Sequence, residues 1–126
     1  MKNERKFYWC NHCGNLVEFY ENAGINIICC GERMVELKPN MMDATQEKHV
    51  PALSCDQNTL KVTVGSIPHP MTEEHYIEWI AVADGNRTTR VQLSVPSAPE
   101  AEYYIGEGPI TVYAYCNLHG LWAADL

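Results

Sequence analysis

His75-Tyr76-Ile77-Glu78-Trp79-Ile80-Ala81-Val82-Ala83-Asp84-Gly85-Asn86 is the stretch that decides the fold. His75, Ile77, Trp79 and Ala81 share one parity, the period-two signature of a strand with one face on a core. The run closes in Ala83-Asp84-Gly85-Asn86, a turn sequence suited to a hairpin. Leu60-Lys61-Val62-Thr63-Val64 alternates in the same way. Val91, Leu93 and Val95 share a face, as do Ile110, Val112, Ala114 and Cys116. No helical period of any length and no internal repeat interrupts these runs. Strands without intervening helices, in about the ~100 residues of an immunoglobulin-like domain, predict a β-sandwich over residues 38–126. Parity puts Cys116 and His75 on the apolar side of their strands, at one end of that sandwich.

Residues 1–37 read differently. Short strands are expected at Lys6–Trp9, Leu16–Tyr20, Ile25–Ile28 and Met34–Leu37, with turns at Gly14, Gly24 and Gly31. All seven prolines lie beyond this segment. A unit below ~40 residues rarely buries enough apolar surface to hold itself, so a metal, a disulfide or a partner must help. Cys10-x2-Cys13 with Cys29-Cys30 is that help. Adjacent cysteines bridge poorly, whereas four thiolates suit a tetrahedral zinc or iron ion. His12, inside the Cys-x2-Cys loop, is expected to be an exposed loop residue, and Cys55 an inert thiol. The expected class is all-β: a small metal-stabilised domain at 1–37, then an immunoglobulin-like sandwich at 38–126.

The formal net charge is −7. Residues 1–38 carry five cations and five acids; residues 39–126 carry four cations and eleven acids, so 4 − 11 = −7. No basic face is available for a nucleic acid. An anionic substrate is repelled by the larger domain as a whole, so any attraction must be local. No apolar run approaches the ~20 residues of a membrane span. Phe7-Tyr8-Trp9-Cys10 is too short for a secretory core, and a cytoplasmic location is expected, where thiols stay reduced.

The remaining histidines cluster in motifs: Glu47-Lys48-His49, His69-Pro70-Met71 with His75, and Cys116-Asn117-Leu118-His119. Four imidazoles and one thiolate are too many for a structural zinc site, which closes at four ligands. Five donors leave one position of an octahedron open, which suits iron and one-electron chemistry on a small ligand. Glu47-Lys48 would set a carboxylate and an ammonium beside that open position. A blue-copper centre also uses a cysteine and histidines, with a weak methionine ligand. After His119, however, the chain runs Gly120-Leu121-Trp122-Ala123-Ala124-Asp125-Leu126 without one, and two histidines would be left over. A zinc-stabilised binding module without redox chemistry is the third reading.

These motifs resemble the desulfoferrodoxins, the two-iron class of superoxide reductase, over nearly the whole chain. Cys10-x2-Cys13-Gly14 with Cys29-Cys30 is similar to the desulforedoxin-like domain. Glu47-Lys48-His49-Val50-Pro51, His69-Pro70-Met71-x3-His75-Tyr76-Ile77-x-Trp79-Ile80 and Tyr115-Cys116-Asn117-Leu118-His119-Gly120 are similar to the catalytic domain. The resemblance implies two mononuclear irons, one held by Cys10, Cys13, Cys29 and Cys30. The other is held by equatorial His49, His69, His75 and His119 with axial Cys116. It implies one-electron reduction of superoxide to hydrogen peroxide, with Lys48 and Glu47 as catalytic residues. Glu47 is similar to the residue that occupies the open position after oxidation. Re-reduction by rubredoxin or another cytosolic electron carrier, and a homodimer, are implied as well.

Overall fold

Phe7-Tyr8-Trp9 is the central strand of the N-terminal stretch. The computed structural model describes all 126 residues and divides into two units, Arg5–Lys38 and Met1–Glu4 with Pro39–Leu126. In the smaller, β1 (Phe7–Trp9) pairs antiparallel with β2 (Leu16–Glu18). Next, β3 (Ile28–Cys29) and β4 (Glu32–Arg33) pair with each other, and β5 (Val35–Leu37) takes the other edge of β1. Of this unit only Phe7, Cys10 and Met34 are buried, too little for an apolar core to act alone. The strand expected at Ile25–Ile28 is displaced: Ile25 is exposed, and only Ile28 joins the ladder, opposite Arg33. The tight turn at Cys30-Gly31 sets the register there, with both residues at positive φ. The strand expected to reach Tyr20 stops at Glu18.

The larger unit begins with a feature the sequence did not suggest, a single helical turn, α1 (Gln46–His49). Four residues are too few to show a helical period. It is followed by β6 (Pro51–Asp56), β7 (Thr59–Val64), β8 (Ile77–Asp84) and β9 (Arg87–Gln92). Next come β10 (Glu100–Tyr104), β11 (Ile110–Cys116) and β12 (Gly120–Asp125). Two antiparallel sheets, ordered β10-β7-β6 and β12-β11-β8-β9, face each other across one apolar core. This is the β-sandwich that the alternation predicted, built here of seven strands. Leu60, Val62 and Val64 of β7 enter the core, while Ile80, Val82, Ile110, Val112 and Ala114 enter from the opposite sheet. The Tyr103 hydroxyl donates to Ile80 O at 2.8 Å and ties β10 to β8. The turn between β8 and β9 is Gly85-Asn86, as expected.

One expectation fails instructively. His75, Ile77, Trp79 and Ala81 do not share a face. His75 precedes β8, and Cys116 pairs with Ile77 while Tyr115 pairs with Trp79, leaving Glu78 as the extra residue of a bulge. A bulge inverts parity. Ile77, Ile80 and Val82 therefore point into the core, and Trp79 stacks on Tyr115 on the other face, centroids 5.6 Å apart. On β11 the expected face holds, with Cys116 fully buried in the core cluster.

The first residues bind to the last strand. Lys2 N donates to Asp125 Oδ1 at 3.1 Å, and Asn3 N to the buried Thr111 Oγ1 at 2.8 Å. The Thr111 hydroxyl in turn donates to Asp125 Oδ1 at 2.7 Å. Burial alone would raise the Asp125 carboxyl, but the Thr111 hydroxyl, the Lys2 amide and nearby positive charge hold it below its ordinary value of 3.8. A depressed carboxyl stabilises the fold fully above the unfolded pKa and loses that effect as pH falls through the folded one. Because Asp125 is exposed, the gain is at most about 1 kcal/mol. Urea unfolding should find Asp125→Asn less stable than the parent at pH 6, with the gap closing below pH 3.8.

Candidate metal centres

Two knuckles bring the N-terminal cysteines together. Cys10 and Cys13 occupy the turn after β1; Cys29 ends β3 and Cys30 starts the next turn. Gly14, at φ 81°, follows Cys13 and lets the chain fold back so that Asn15 N donates to Cys13 Sγ at 3.5 Å. All four sulfurs lie within 4.8 Å of one another, with Cys13 and Cys29 at 3.6 Å. The Cys13 backbone N–H leads a set of donors that lowers the Cys10 thiol to about 6. Hydrogen bonding with Cys13 and Cys10 raises Cys30 to about 12. The thiols thus compete for protons at one point, a conflict that a divalent or trivalent cation resolves. His12 stays outside, exposed and paired with Glu32 at 3.0 Å. Cys55 is exposed too, its thiol donating to Gln57 O at 3.1 Å.

The second cluster sits where several strands begin or end. His49 closes α1, just before β6; His69 N donates to Val64 O, the last residue of β7, at 2.7 Å. His75 lies two residues before β8, while Cys116 ends β11 and His119 immediately precedes β12. All five donors are therefore at one end of the sandwich. Successive imidazoles stand edge to face in a ring. His49–His69, His69–His75, His75–His119 and His119–His49 have centroids 4.5–5.0 Å apart and planes at 79–81°. Across the ring, His49 and His75 are 6.1 Å apart. His49, His75, Cys116 and His119 present donor atoms within 4.8 Å of one another. His69 Nε2 joins them at 3.2 Å from His49 Nε2 and 3.4 Å from Cys116 Sγ.

The chemistry of these donors fits a metal. His49 Nδ1 and His69 Nδ1 each face a backbone carbonyl, of Thr45 and Pro70, both at 2.7 Å. Those contacts fix the tautomer and turn Nε2 inward. His75 Nε2 is buried without any hydrogen-bond partner, a cost of about 1–3 kcal/mol unless something binds it. Burial, above all, lowers the pKa of His49, His69 and His75, taking His69 to about 4, so the imidazoles are neutral as a metal requires. Burial pushes the Cys116 thiol up, while the backbone N–H groups of Leu118 and His119 pull it down.

Glu47 and Lys48 are exposed on α1, immediately before buried His49. The Lys48 charge adds to the lowering of His49 and His75. The turn is held from behind: Ile67 N and Ser66 Oγ donate to Glu47 O at 3.0 and 3.2 Å. A Cβ at Gly65 would stand 2.5 Å from Glu47 O and 2.9 Å from Val50 O, so only glycine fits there. Sequence reasoning passed over Gly65, and over Asn117 within the Cys116–His119 motif.

A four-sulfur knuckle followed by a sandwich with four histidines and a buried cysteine defines a two-centre non-haem metalloprotein. The family model described as Desulfoferrodoxin matches residues 41–125, and the one described as Desulfoferrodoxin, N-terminal domain, matches residues 2–37. The chain belongs to the desulfoferrodoxin family. It is 43% identical over 125 residues to the desulfoferrodoxin of Nitratidesulfovibrio vulgaris, covering 99% of each chain. The superoxide reductase from Treponema pallidum superposes with a TM-score of 0.76 at 31% identity, covering 96% of this chain and 98% of that one. The one-iron superoxide reductase from Giardia intestinalis matches 64% of this chain and 97% of its own, with a TM-score of 0.57 at 31% identity.

Proposed function

We propose that the chain is a superoxide reductase in which His49, His69, His75, His119 and Cys116 hold one iron, and Cys10, Cys13, Cys29 and Cys30 hold another. The carrying observation is the unpartnered, buried His75 Nε2 within a ring of four imidazoles beside a buried thiol. The activity named for the Treponema pallidum and Giardia intestinalis proteins supports it. On this reading, residues 1–37 form the accessory iron domain and 38–126 the catalytic one. Iron at the histidine–cysteine site supplies, when bound, the single electron that turns superoxide, with two protons, into hydrogen peroxide. Lys48 draws the anion towards the site and orders the water that delivers protons. Glu47 offers its carboxylate as a sixth donor after oxidation.

Rubredoxin or a similar small carrier restores the electron. The chain acts in the cytoplasm as a homodimer. Six unpaired cysteines suit a reducing compartment. Exposed Tyr20, Ile25, Ile28 and Val35 offer apolar surface on the small unit for a second copy to cover. The acidic surplus opposes a nucleic-acid partner, and no helix is long and apolar enough to cross a membrane.

Stoichiometry tests the activity. With a reductant present, each superoxide consumed should yield one hydrogen peroxide and no dioxygen. Dioxygen released at half the superoxide consumed would establish dismutase chemistry instead.

A further inference from the structure

His75 is held differently from the other Nε2 donors. The rings of His49 and His69 are each locked by a backbone carbonyl at Nδ1. No carbonyl does this for His75, whose inward Nε2 is also unpartnered. Its orientation must come from its backbone. Asn117, between Cys116 and Leu118, grips that backbone on both sides. Tyr76 N donates to Asn117 Oδ1 at 2.9 Å, Asn117 Nδ2 donates to Glu74 O at 3.0 Å, and Asn117 N donates to Tyr76 O at 3.1 Å. The residues before and after His75 are therefore fastened to the loop that carries Cys116 and His119. Thr72 closes the short turn behind: its hydroxyl donates to His75 O at 3.2 Å, and His75 N donates to Thr72 O at 3.2 Å.

We propose that Asn117 is the positioning residue of His75, joining the His75 turn to the Cys116–His119 loop so that one imidazole without its own carbonyl anchor still meets the other donors. The inference rests on the reading of His75 as an iron donor. An asparagine is required because it both accepts and donates through one planar amide. Leucine keeps the branched shape, is somewhat bulkier, and loses both bonds. Aspartate keeps the acceptor for Tyr76 N and loses the donor to Glu74 O.

The test is competition by a ferrous chelator against the full-length, iron-loaded protein, with the absorbance of the four-cysteine iron as internal reference. Loss of a group that orients a metal ligand weakens metal affinity by about 10- to 100-fold. Asn117→Leu should therefore lower retention at the histidine site by that factor, and Asn117→Asp by less. The four-cysteine iron should stay in place. The deciding comparison is Asn117→Leu in a His75→Ala background, where it should have little further effect, because residues acting through one another are not additive. Equal losses in both backgrounds, unchanged retention in Asn117→Leu, or release of both irons together would each overturn the proposal. If His75→Ala itself retains iron like the parent, the reading of His75 as a donor fails instead.

Discussion

Replacing Cys13 with serine is expected to remove one of two irons and to loosen Arg5–Lys38, while the spectrum of the second centre stays as in the parent. Cys13 Sγ is central to its cluster, 3.6 Å from Cys29 Sγ and the acceptor of Asn15 N. Burying Phe7 and Met34 contributes only about 2–3 kcal/mol each. A structural metal in a small domain contributes on the order of 10 kcal/mol, so the metal dominates. Iron content should fall from two per chain towards one, and proteolysis should cut selectively within residues 5–38. Loss of both centres at once would show that the division into two independent sites is wrong.

Lys48→Ile should slow the bimolecular reaction of the reduced protein with superoxide by ~10-fold or more at low salt, with iron still bound. Residues 39–126 carry a net charge of −7, and their other cations are engaged. Lys61 pairs with Glu102 at 3.6 Å, Arg87 with Asp84 at 3.2 Å, and Arg90 donates to Gln92 at 2.6 Å. Lys48 alone has neither an ion pair nor a side-chain hydrogen bond, and it is exposed one residue from a donor of the histidine ring. Its removal should flatten or invert the salt dependence, since screening then relieves repulsion instead of attraction. Glu47→Ala should leave this step nearly unchanged, because its proposed part begins after oxidation. Pulse radiolysis at several ionic strengths measures both variants. A parent-like rate for Lys48→Ile at low salt would end the steering hypothesis.

The strands of the sandwich were legible because Leu60, Val62 and Val64 alternate with solvent-facing neighbours, and the hairpin because Gly85-Asn86 carries its own turn chemistry. The donors were legible for a different reason: imidazoles and thiols are few, and their spacing stands out whatever the fold does. What stayed hidden depends on contacts between distant segments. The bulge at Glu78 exists only in the pairing of β8 with β11, and no local pattern announces it. Gly65 and Asn117 look like ordinary loop residues until the chain folds, when one meets the Glu47 carbonyl and the other brackets His75. The two-residue ladder at Ile28–Cys29 is likewise set by the turn beside it and not by alternation.

The close approach at Gly65 has a consequence for how this protein can diversify. Residues 47 and 65 are welded at the metal end, while the β6–β7 hairpin between them runs away and turns at Gln57-Asn58, the opposite pole. That distant tip is mechanically decoupled from the donors. Insertions, tags or new recognition surfaces grafted at Gln57-Asn58 can be accepted with both clamped ends left where they are. One methyl group at position 65 cannot, because it would lift the turn carrying Glu47, Lys48 and His49 away from its seat.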